Sequence, residues 1–453
     1  EDVNECWIAD RDRYSYEALN GADRLTQPML KQGGEWKEVD WQTALEYVAN
    51  GLKNIQRDHG ANSIGALVSP QSTVEELYLA GALVRGLGSD NIDYRLRNAE
   101  FGAAEGVRTL GTSIASLSTL QRVLVVGANL RKDHPLFALR VRHAVRHGAQ
   151  LNVITSQAAF SHADAWAMPV AQAVLADASA WAQALADVAA AVAAEKGVAA
   201  PVAGNATAQA QAIAKSLLGG ERKAVLLGNA AAHHANASSL LALANWIGEQ
   251  TGATVGYLTE SANTVGAQWV GAQPQTGGKN AGQMLAGGLK AALLLNTEPE
   301  FDSAAGSAAA QALAQAEMVV TLSPFKANMA FSDVLLPIAP FTETSGSFVN
   351  AEGRLQSFHA VVKPLAETRP AWKVLRVLAN LLDVPGVSFE TSQEVLARAT
   401  AKPLAASNAT RAAINLAAAA GTPAVASIYQ LDGIVRRAPS LQLTADARQE
   451  VTA

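Results

Sequence analysis

The chain has 453 residues, 49% of them hydrophobic and 17% charged, which is enough apolar material for several cores and excludes a disordered chain. Its formal net charge of -5 gives no electrostatic case for nucleic acid or an anionic membrane surface. The one cysteine, Cys6, makes no intrachain disulfide and cannot alone supply the thiolates of an iron–sulfur cluster.

At roughly 150 residues per domain the length suggests about three domains. Residues 1–42 are polar, aromatic and rich in turn formers. They open on Glu1-Asp2-Val3-Asn4 without a charged-then-apolar leader, so the sequence reads as internal to a longer polypeptide. No stretch reaches the roughly 20 apolar residues of a membrane span, and no direct membrane insertion is expected. An apolar run at 64–68 predicts a strand, followed by a helix near 73–87. The clearest unit spans 122–155. There, strand 123–126 is broken by Gly127-Ala128-Asn129, and Pro135 suits the first turn of a helix. Phe137, Val141, Ala144 and Val145 recur at helical spacing, Gly148 stops the helix, and 151–154 is the next strand. Such a βαβ unit implies a parallel sheet. Strand 224–227 precedes a helix near 238–250, and strand 291–295 leads through an Ala-rich helix to strand 318–322. Residues 341–358 alternate around a Glu352-Gly353 turn and read as a hairpin. The Ala-rich stretches 170–215 and 395–427 favour helix.

Candidate chemistry is sparse. The Gly127-to-Pro135 loop joins a strand end to a helix N-terminus, where free N–H groups could cradle a phosphate, but it lacks the full GxGxxG pattern. A tight turn is the plainer reading. His143 and His147 have zinc spacing, yet Arg140, Arg142 and Arg146 crowd them and no third ligand is near. His233 and His234 alternate sides of a loop and make poor joint ligands. The basic run 131–147 has no interleaved aromatic platform and reads as charged surface. Asp333, Glu343 and Glu352 are near in sequence, but nothing marks an acid/base pair. No GxSxG, Walker or HExxH motif occurs. Catalytic residues and metal ligands are therefore expected to be absent.

Several segments, in order, resemble the molybdopterin oxidoreductase family. They are Asp23-Arg24-Leu25-Thr26-Gln27-Pro28 with Gly34-Glu35-Trp36, then Val125-Val126-Gly127-Ala128-Asn129 with His134-Pro135. Last comes Asp333-Val334-Leu335-Leu336-Pro337 followed by Asn350-Ala351-Glu352-Gly353-Arg354-Leu355-Gln356. Within the family, Trp7-Ile8-Ala9-Asp10-Arg11-Asp12-Arg13-Tyr14-Ser15-Tyr16 and Asn129-Leu130-Arg131-Lys132-Asp133-His134-Pro135 look like the C-terminal part of the large iron–sulfur subunit of bacterial NADH–quinone oxidoreductase, complex I.

The resemblance implies an α/β fold with two Rossmann-like doubly wound parallel-sheet domains, one inserted in the other, plus a small antiparallel β domain. The expected boundaries are 1–42 with 329–365 for the β domain, 43–110 with 259–328 for the first Rossmann-like domain and 111–258 for the inserted one. An Ala-rich helical segment is expected at 366–453. Departures from the family matter too. Where active relatives carry a cluster cysteine, the alignment gives Ala9. Where they carry Asp-Pro-Arg, whose Asp holds a guanine, it gives Thr155, Ser156 and Gln157. A second such Asp becomes Ser323, and the capping C-terminal β-barrel has no counterpart. Losing a carboxylate that accepts from a guanine edge removes a charge-assisted pairing.

The resemblance therefore implies a structural and assembly part of an electron-transfer subunit. No cofactor is expected in this chain, while 2Fe-2S and 4Fe-4S clusters are expected upstream in the full subunit. Expected partners are the other peripheral-arm subunits, including the flavin-bearing NADH-oxidising one, on the cytoplasmic side of the inner membrane. The alternatives are an active molybdopterin enzyme of the formate-dehydrogenase kind and a nucleotide-binding module resting on Gly127. Vestigial pocket positions are Gly127, Asn129, Thr155, Ser323, Asn350 and Gly353. Thr155 and Ser323 are expected on the rims of one inter-domain cleft, with Gly127 and Asn129 beside Thr155.

Overall fold

The computed structural model describes residues 3–102, 104–160, 166–417 and 421–449. Two sheets with parallel cores organise it. The larger contains β1 (Met29–Gln32), β2 (Glu35–Glu38), β3 (Ile64–Val68), β4 (Ile92–Asp93), β10 (Ala291–Leu295), β11 (Met318–Ser323) and β12 (Val334–Pro337). Its seven strands run in the order β2-β1-β12-β11-β10-β3-β4. The smaller contains β5 (Arg122–Val126), β6 (Gln150–Thr155), β7 (Gln172–Leu175), β8 (Lys223–Leu227) and β9 (Thr254–Tyr257). It is all parallel, in the order β7-β6-β5-β8-β9. Strands β5 to β9 fall in sequence between β4 and β10, so one Rossmann-like unit is inserted in the other.

Why these runs form central strands follows from their composition. A parallel strand covered by helices on both faces must be apolar at every position rather than at alternate ones. In β10, Ala291, Leu293 and Leu295 enter the core shared with helices Trp41–His59, Val74–Gly86 and Ala371–Leu381. Ala292 and Leu294 enter the opposite core with Met284, Ala309 and Leu313. The inserted sheet repeats the pattern: Leu124 and Val126 face one core, Val123 and Val125 the other. Helix Val74–Gly86 is started by a capping box, with the Thr73 hydroxyl accepting from the Glu76 N–H and the Glu76 carboxyl accepting from the Thr73 N–H.

Two expectations are corrected. Residues 29–38 and 334–337 do not stand apart as a small β domain. β1 pairs antiparallel with β12, β2 with β1, and β12 lies parallel to β11, so all three extend the large sheet. The reason is that Val334, Leu335 and Leu336 are fully buried and continue the parallel core. Only the hairpin β13 (Gly346–Val349) with β14 (Leu355–Phe358) forms a separate two-stranded sheet among the described residues.

The second correction concerns 366–453. Helices Ala371–Leu381 and Ser392–Ala399 form, but 401–417 and 421–434 carry no helix among the described residues. Residues 418–420 and 450–453 lie outside them. Pro403, Pro423 and Gly421 interrupt the stretch, and side chains elsewhere take its main-chain groups, which competes with a helical ladder. The other Ala-rich stretch does form helices, Trp181–Lys196 and Ala208–Leu218, after the strand β7.

Candidate functional site

Carboxyl ends of parallel strands line the ligand crevice of doubly wound sheets. Here both sheets turn those ends to one crevice. The Ala99 N–H of the first unit donates to the His233 carbonyl of the inserted one, so loops of the two units meet there. Two cavities open along it. One, of about 400 Å³, is lined by Tyr94, Arg108, Tyr257, Glu260, Arg411 and Leu431 among others. The other, of about 340 Å³, is lined by Arg11, Glu76, Ser323, Phe348, Gly433 and Ile434 among others.

Between them lies a buried ionic cluster. Arg97 reaches Glu260 at 3.2 Å and Asp302 at 3.4 Å. Arg436 reaches Asp302 at 2.8 Å and Glu298 at 3.2 Å, and Arg437 reaches Glu298 at 2.6 Å. The His233 imidazole lies 3.6 Å from Glu260. Burial pushes the Glu298 carboxyl up, but the Arg437 hydrogen bond and the charges of Arg436 and Arg437 outweigh it and hold it below its ordinary value. Glu260 behaves alike: burial opposes ionisation, and Arg97 followed by His233 overcome it. At Asp302 burial wins over Arg436 and Arg97, and the carboxyl sits above its ordinary value. Every carboxylate of the cluster is engaged by a cation, so the cluster ties Arg97, Glu260, Glu298 and Asp302 to Arg436 and Arg437.

The segment carrying Arg436 and Arg437 is the extended C-terminal strap. It begins beside residues 107–109, at the junction of the two units. Ala406 bridges Val107. The Asn408 side chain accepts from the Thr109 N–H at 2.9 Å and donates to the Thr109 and Val255 carbonyls at 3.0 and 2.9 Å. The Asn245 amide donates to the Asn408 carbonyl, and the Ser239 hydroxyl accepts from the Asn415 N–H. The Asn236 amide donates to the Ala417 carbonyl, and His233 bonds the Ala424 carbonyl through Nδ1 at 2.8 Å. The strap then crosses to the first unit, where Arg97 donates to the Leu431 carbonyl. Thr410 to Ala412 and Leu431 wall the larger cavity, and Asp432 to Val435 wall the smaller.

The six positions singled out from the sequence fall in three places. Gly127, Asn129 and Thr155 come together. The Gly127 N–H donates to the Ile154 carbonyl, and the Thr155 hydroxyl donates to the Ala128 carbonyl at 3.3 Å. Gly127 has φ 63°, and a Cβ there would meet the Ala231 backbone nitrogen at 2.7 Å, so close packing requires glycine. Asn129 caps the short helix Leu130–Asp133, and its own N–H donates to Asp133. Thr155 is 1% exposed. Ser323 is 5% exposed and lines the smaller cavity, its hydroxyl accepting from the Phe325 N–H. Thr155 lines neither of the two cavities, so the two residues do not share the rim of one. Asn350 and Gly353 shape the hairpin turn: the Asn350 side chain accepts from the N–H groups of Glu352 and Arg354, and Gly353 has φ 92°. Glu352 then accepts from the Ile114 N–H, docking the hairpin on the inserted unit.

The other candidates have partners within the fold. Glu343 takes both nitrogens of the buried Arg24 fork at 2.8 and 2.9 Å, and Asp333 accepts from the Val319 N–H. His143 and His147 face each other with ring centroids 4.4 Å apart. Among the described residues no three or more His, Cys, Asp or Glu gather as metal ligands, and no helix is long and apolar enough to cross a membrane. His134 is buried behind the Gly127 loop, where burial and then the Arg11 charge lower its pKa to about 4, so it is neutral at pH 7. The ionic cluster has no signal in the sequence because it forms no local motif: Asp302 lies 205 positions from Arg97 and 134 from Arg436.

The topology defines a class, the doubly wound α/β scaffold in which one Rossmann-like unit interrupts another. More narrowly, residues 24–381 match the molybdopterin oxidoreductase family, and the chain belongs to it. The NADPH-Fe(3+) oxidoreductase subunit alpha of Geobacter sulfurreducens is 27% identical over 432 residues, covering 82% of this chain and 51% of that protein. An NADH-quinone oxidoreductase subunit of Streptomyces coelicolor is 28% identical over 434 residues, covering 84% and 50%. A putative formate dehydrogenase of Staphylococcus aureus is 25% identical over 451 residues, covering 84% and 45%. The chain thus spans about half the length of the curated relatives it matches. Acetylene hydratase from Pelobacter acetylenicus shares the fold, with a TM-score of 0.58 at 15% identity over 87% of this chain and 67% of that one.

Proposed function

We propose that this chain is the structural and assembly part of an electron-transferring oxidoreductase subunit, of the kind that serves as the large iron–sulfur subunit of NADH–quinone oxidoreductase, with no molybdenum centre of its own. The observation that carries the reading is the crevice. The chain's own strap walls both cavities at the strand ends, and Arg436 and Arg437 occupy the acidic groups between them. The residues present do not fit a pterin dinucleotide. Thr155 and Ser323, aligned with guanine-holding carboxylates, are neutral, buried and turned to main-chain atoms. A hydroxyl spent on a local bond cannot replace a charged bidentate acceptor.

In this reading the iron–sulfur clusters belong to other parts of the full subunit. The partners are peripheral-arm subunits of the respiratory complex, including the flavin-bearing one, on the cytoplasmic side of the inner membrane. A second reading, an active molybdopterin oxidoreductase, is favoured by the relative named a putative formate dehydrogenase. Metal analysis separates the two. The protein purified from cells making molybdenum cofactor should contain only trace molybdenum by plasma mass spectrometry. Stoichiometric molybdenum would favour the second reading and sink the first.

A further inference from the structure

We infer that the larger cavity, of about 400 Å³, is a binding site for a small organic monocarboxylate, recognised by Arg108, Tyr94 and Tyr257. Such a site needs a crevice free of pterin dinucleotide, and so rests on the function proposed above. The three residues arrive from different parts of the fold. Tyr94 follows β4 of the large sheet and packs on its core, and Tyr257 ends β9 of the inserted sheet. The Tyr257 N–H donates to the Thr109 carbonyl at 2.9 Å, and the Arg108 N–H donates to the Gln268 side chain at 2.9 Å. These bonds hold the main chain so that the Arg108 guanidinium lies over the Tyr257 ring, 5.3 Å from its centroid.

What sets these groups apart is that they lack partners. Four arginines line the cavity. Arg95 is paired with Asp93 at 2.9 Å, Arg97 with Glu260 at 3.2 Å and Arg411 with Glu105 at 3.7 Å. Among the described residues the Arg108 side chain has no ion pair and no hydrogen bond. Tyr257 is 5% exposed, and its hydroxyl is buried without a hydrogen-bond partner. The Tyr94 hydroxyl has no partner among the described residues either. Burial pushes both phenols up, to about 12 at Tyr94, and the Arg108 charge opposes the rise at each. Both therefore keep their protons at pH 7 and can donate. A buried polar group left unpaired costs free energy, and three unpaired donors on one cavity call for an anionic acceptor. A carboxylate supplies it: two oxygens for the guanidinium fork, with lone pairs left for the hydroxyls. One unmatched cation sets the ligand's charge at one. Glu100 on the same wall bonds Ser238 and has no cation partner among the described residues, so a dianion meets a like charge. Leu96, Leu258 and Leu431 give the ligand's body an apolar wall.

Titration of the full chain with benzoate, followed by ligand-observed NMR, tests this. Benzoate should bind with a dissociation constant of about 1 mM or tighter. Benzyl alcohol, similar in size but neutral, should bind at least about tenfold more weakly, and inorganic phosphate should compete at least about tenfold more weakly. Arg108→Gln should weaken benzoate about tenfold or more, and Tyr257→Phe about threefold. Equal binding of benzyl alcohol or phosphate, or unchanged benzoate affinity in Arg108→Gln, would overturn the site. The comparison of benzoate with benzyl alcohol uses wild-type protein alone and decides the matter even if a variant does not fold. Molybdenum is measured on the same sample. Molybdenum-free protein that ignores benzoate would overturn the carboxylate site alone, whereas stoichiometric molybdenum would overturn it together with the proposed function.

Discussion

Two stretches of the chain share an Ala-rich composition and take opposite structures. Residues 181–218 form two helices whose Leu185, Val188, Val192, Ile213 and Leu217 are fully buried in the inserted core. Residues 404–417 and 421–427 carry no helix, 428–434 form turns, and other residues' side chains hold the stretch. Alanine loses no side-chain entropy in a helix and so permits one, but a short helix needs an apolar stripe to dock. The helical stretch supplies long apolar residues at helical spacing. The strap supplies Pro403, Asn408, Thr410, Asn415 and Pro423 instead, residues that stop helices or compete for main-chain bonds.

The strongest way to break this contrast is to place proline in both stretches. Ala189 is fully buried within helix Trp181–Lys196. Ala189→Pro removes a ladder bond and clashes with the preceding turn, and should cost about 3 kcal/mol or more in urea unfolding. Ala413 lies in the extended strap and is exposed. Ala413→Pro should change stability by less than about 0.5 kcal/mol. Similar losses at both positions would show that the strap holds hidden helical order.

A smaller effect probes what replaces the ladder. Asn408→Ala removes three bonds and leaves the Thr109 and Val255 main-chain groups short of partners. The expected cost is about 2 kcal/mol, read from the same unfolding curves, because stranded polar groups lose hydration without compensation. No measurable loss would mean that solvent reaches these groups freely.

Acid gives the smallest effect, read at the strap. The folded Glu298 carboxyl lies below its ordinary 4.5, so the stability it contributes is present above pH 4.5 and lost as pH falls through the folded value. Glu260 acts in the same direction. Asp302 opposes them, since its raised value means its contribution is greatest below 3.8 and fades as pH rises. After correction for intrinsic exchange, strap amides should exchange about threefold faster near pH 3.5 than at pH 5, with no change in helix Trp181–Lys196. Equal acceleration in the helix would assign the effect to global acid unfolding.

Much of the fold is legible in the sequence because central parallel strands announce themselves as short apolar runs. Those at 64–68 and 291–295 coincide with β3 and β10. The runs at 123–126, 151–154, 224–227 and 318–322 fall inside β5, β6, β8 and β11. The hairpin turn at Glu352-Gly353 is legible for a similar local reason: Gly353 needs its positive φ and Asn350 folds the turn on itself. Sheet membership of β1 and β2 is not, since their pattern is the same whether they pair with β12 or stand alone. The crevice is least legible. Thr155 and Ser323 are readable as missing carboxylates, but not as sealed against Ala128 and Phe325. What fills the space comes from Arg436, 134 positions from Asp302, and Arg437, 139 positions from Glu298.

The ribbon of β1 and β2 has a further consequence for how other proteins can meet this one. An unpaired strand edge is a template on which any extended chain can register. The large sheet ends on one side at β2, four residues with charged Glu35, Lys37 and Glu38, and on the other at β4, two residues long. The inserted sheet ends at β7 and β9, each four residues, and β9 is already met by Thr109 and Asn408. Strand-by-strand growth from either sheet therefore finds only short or occupied borders. Among the described residues, the borders of these two sheets thus offer little backbone register for an added strand.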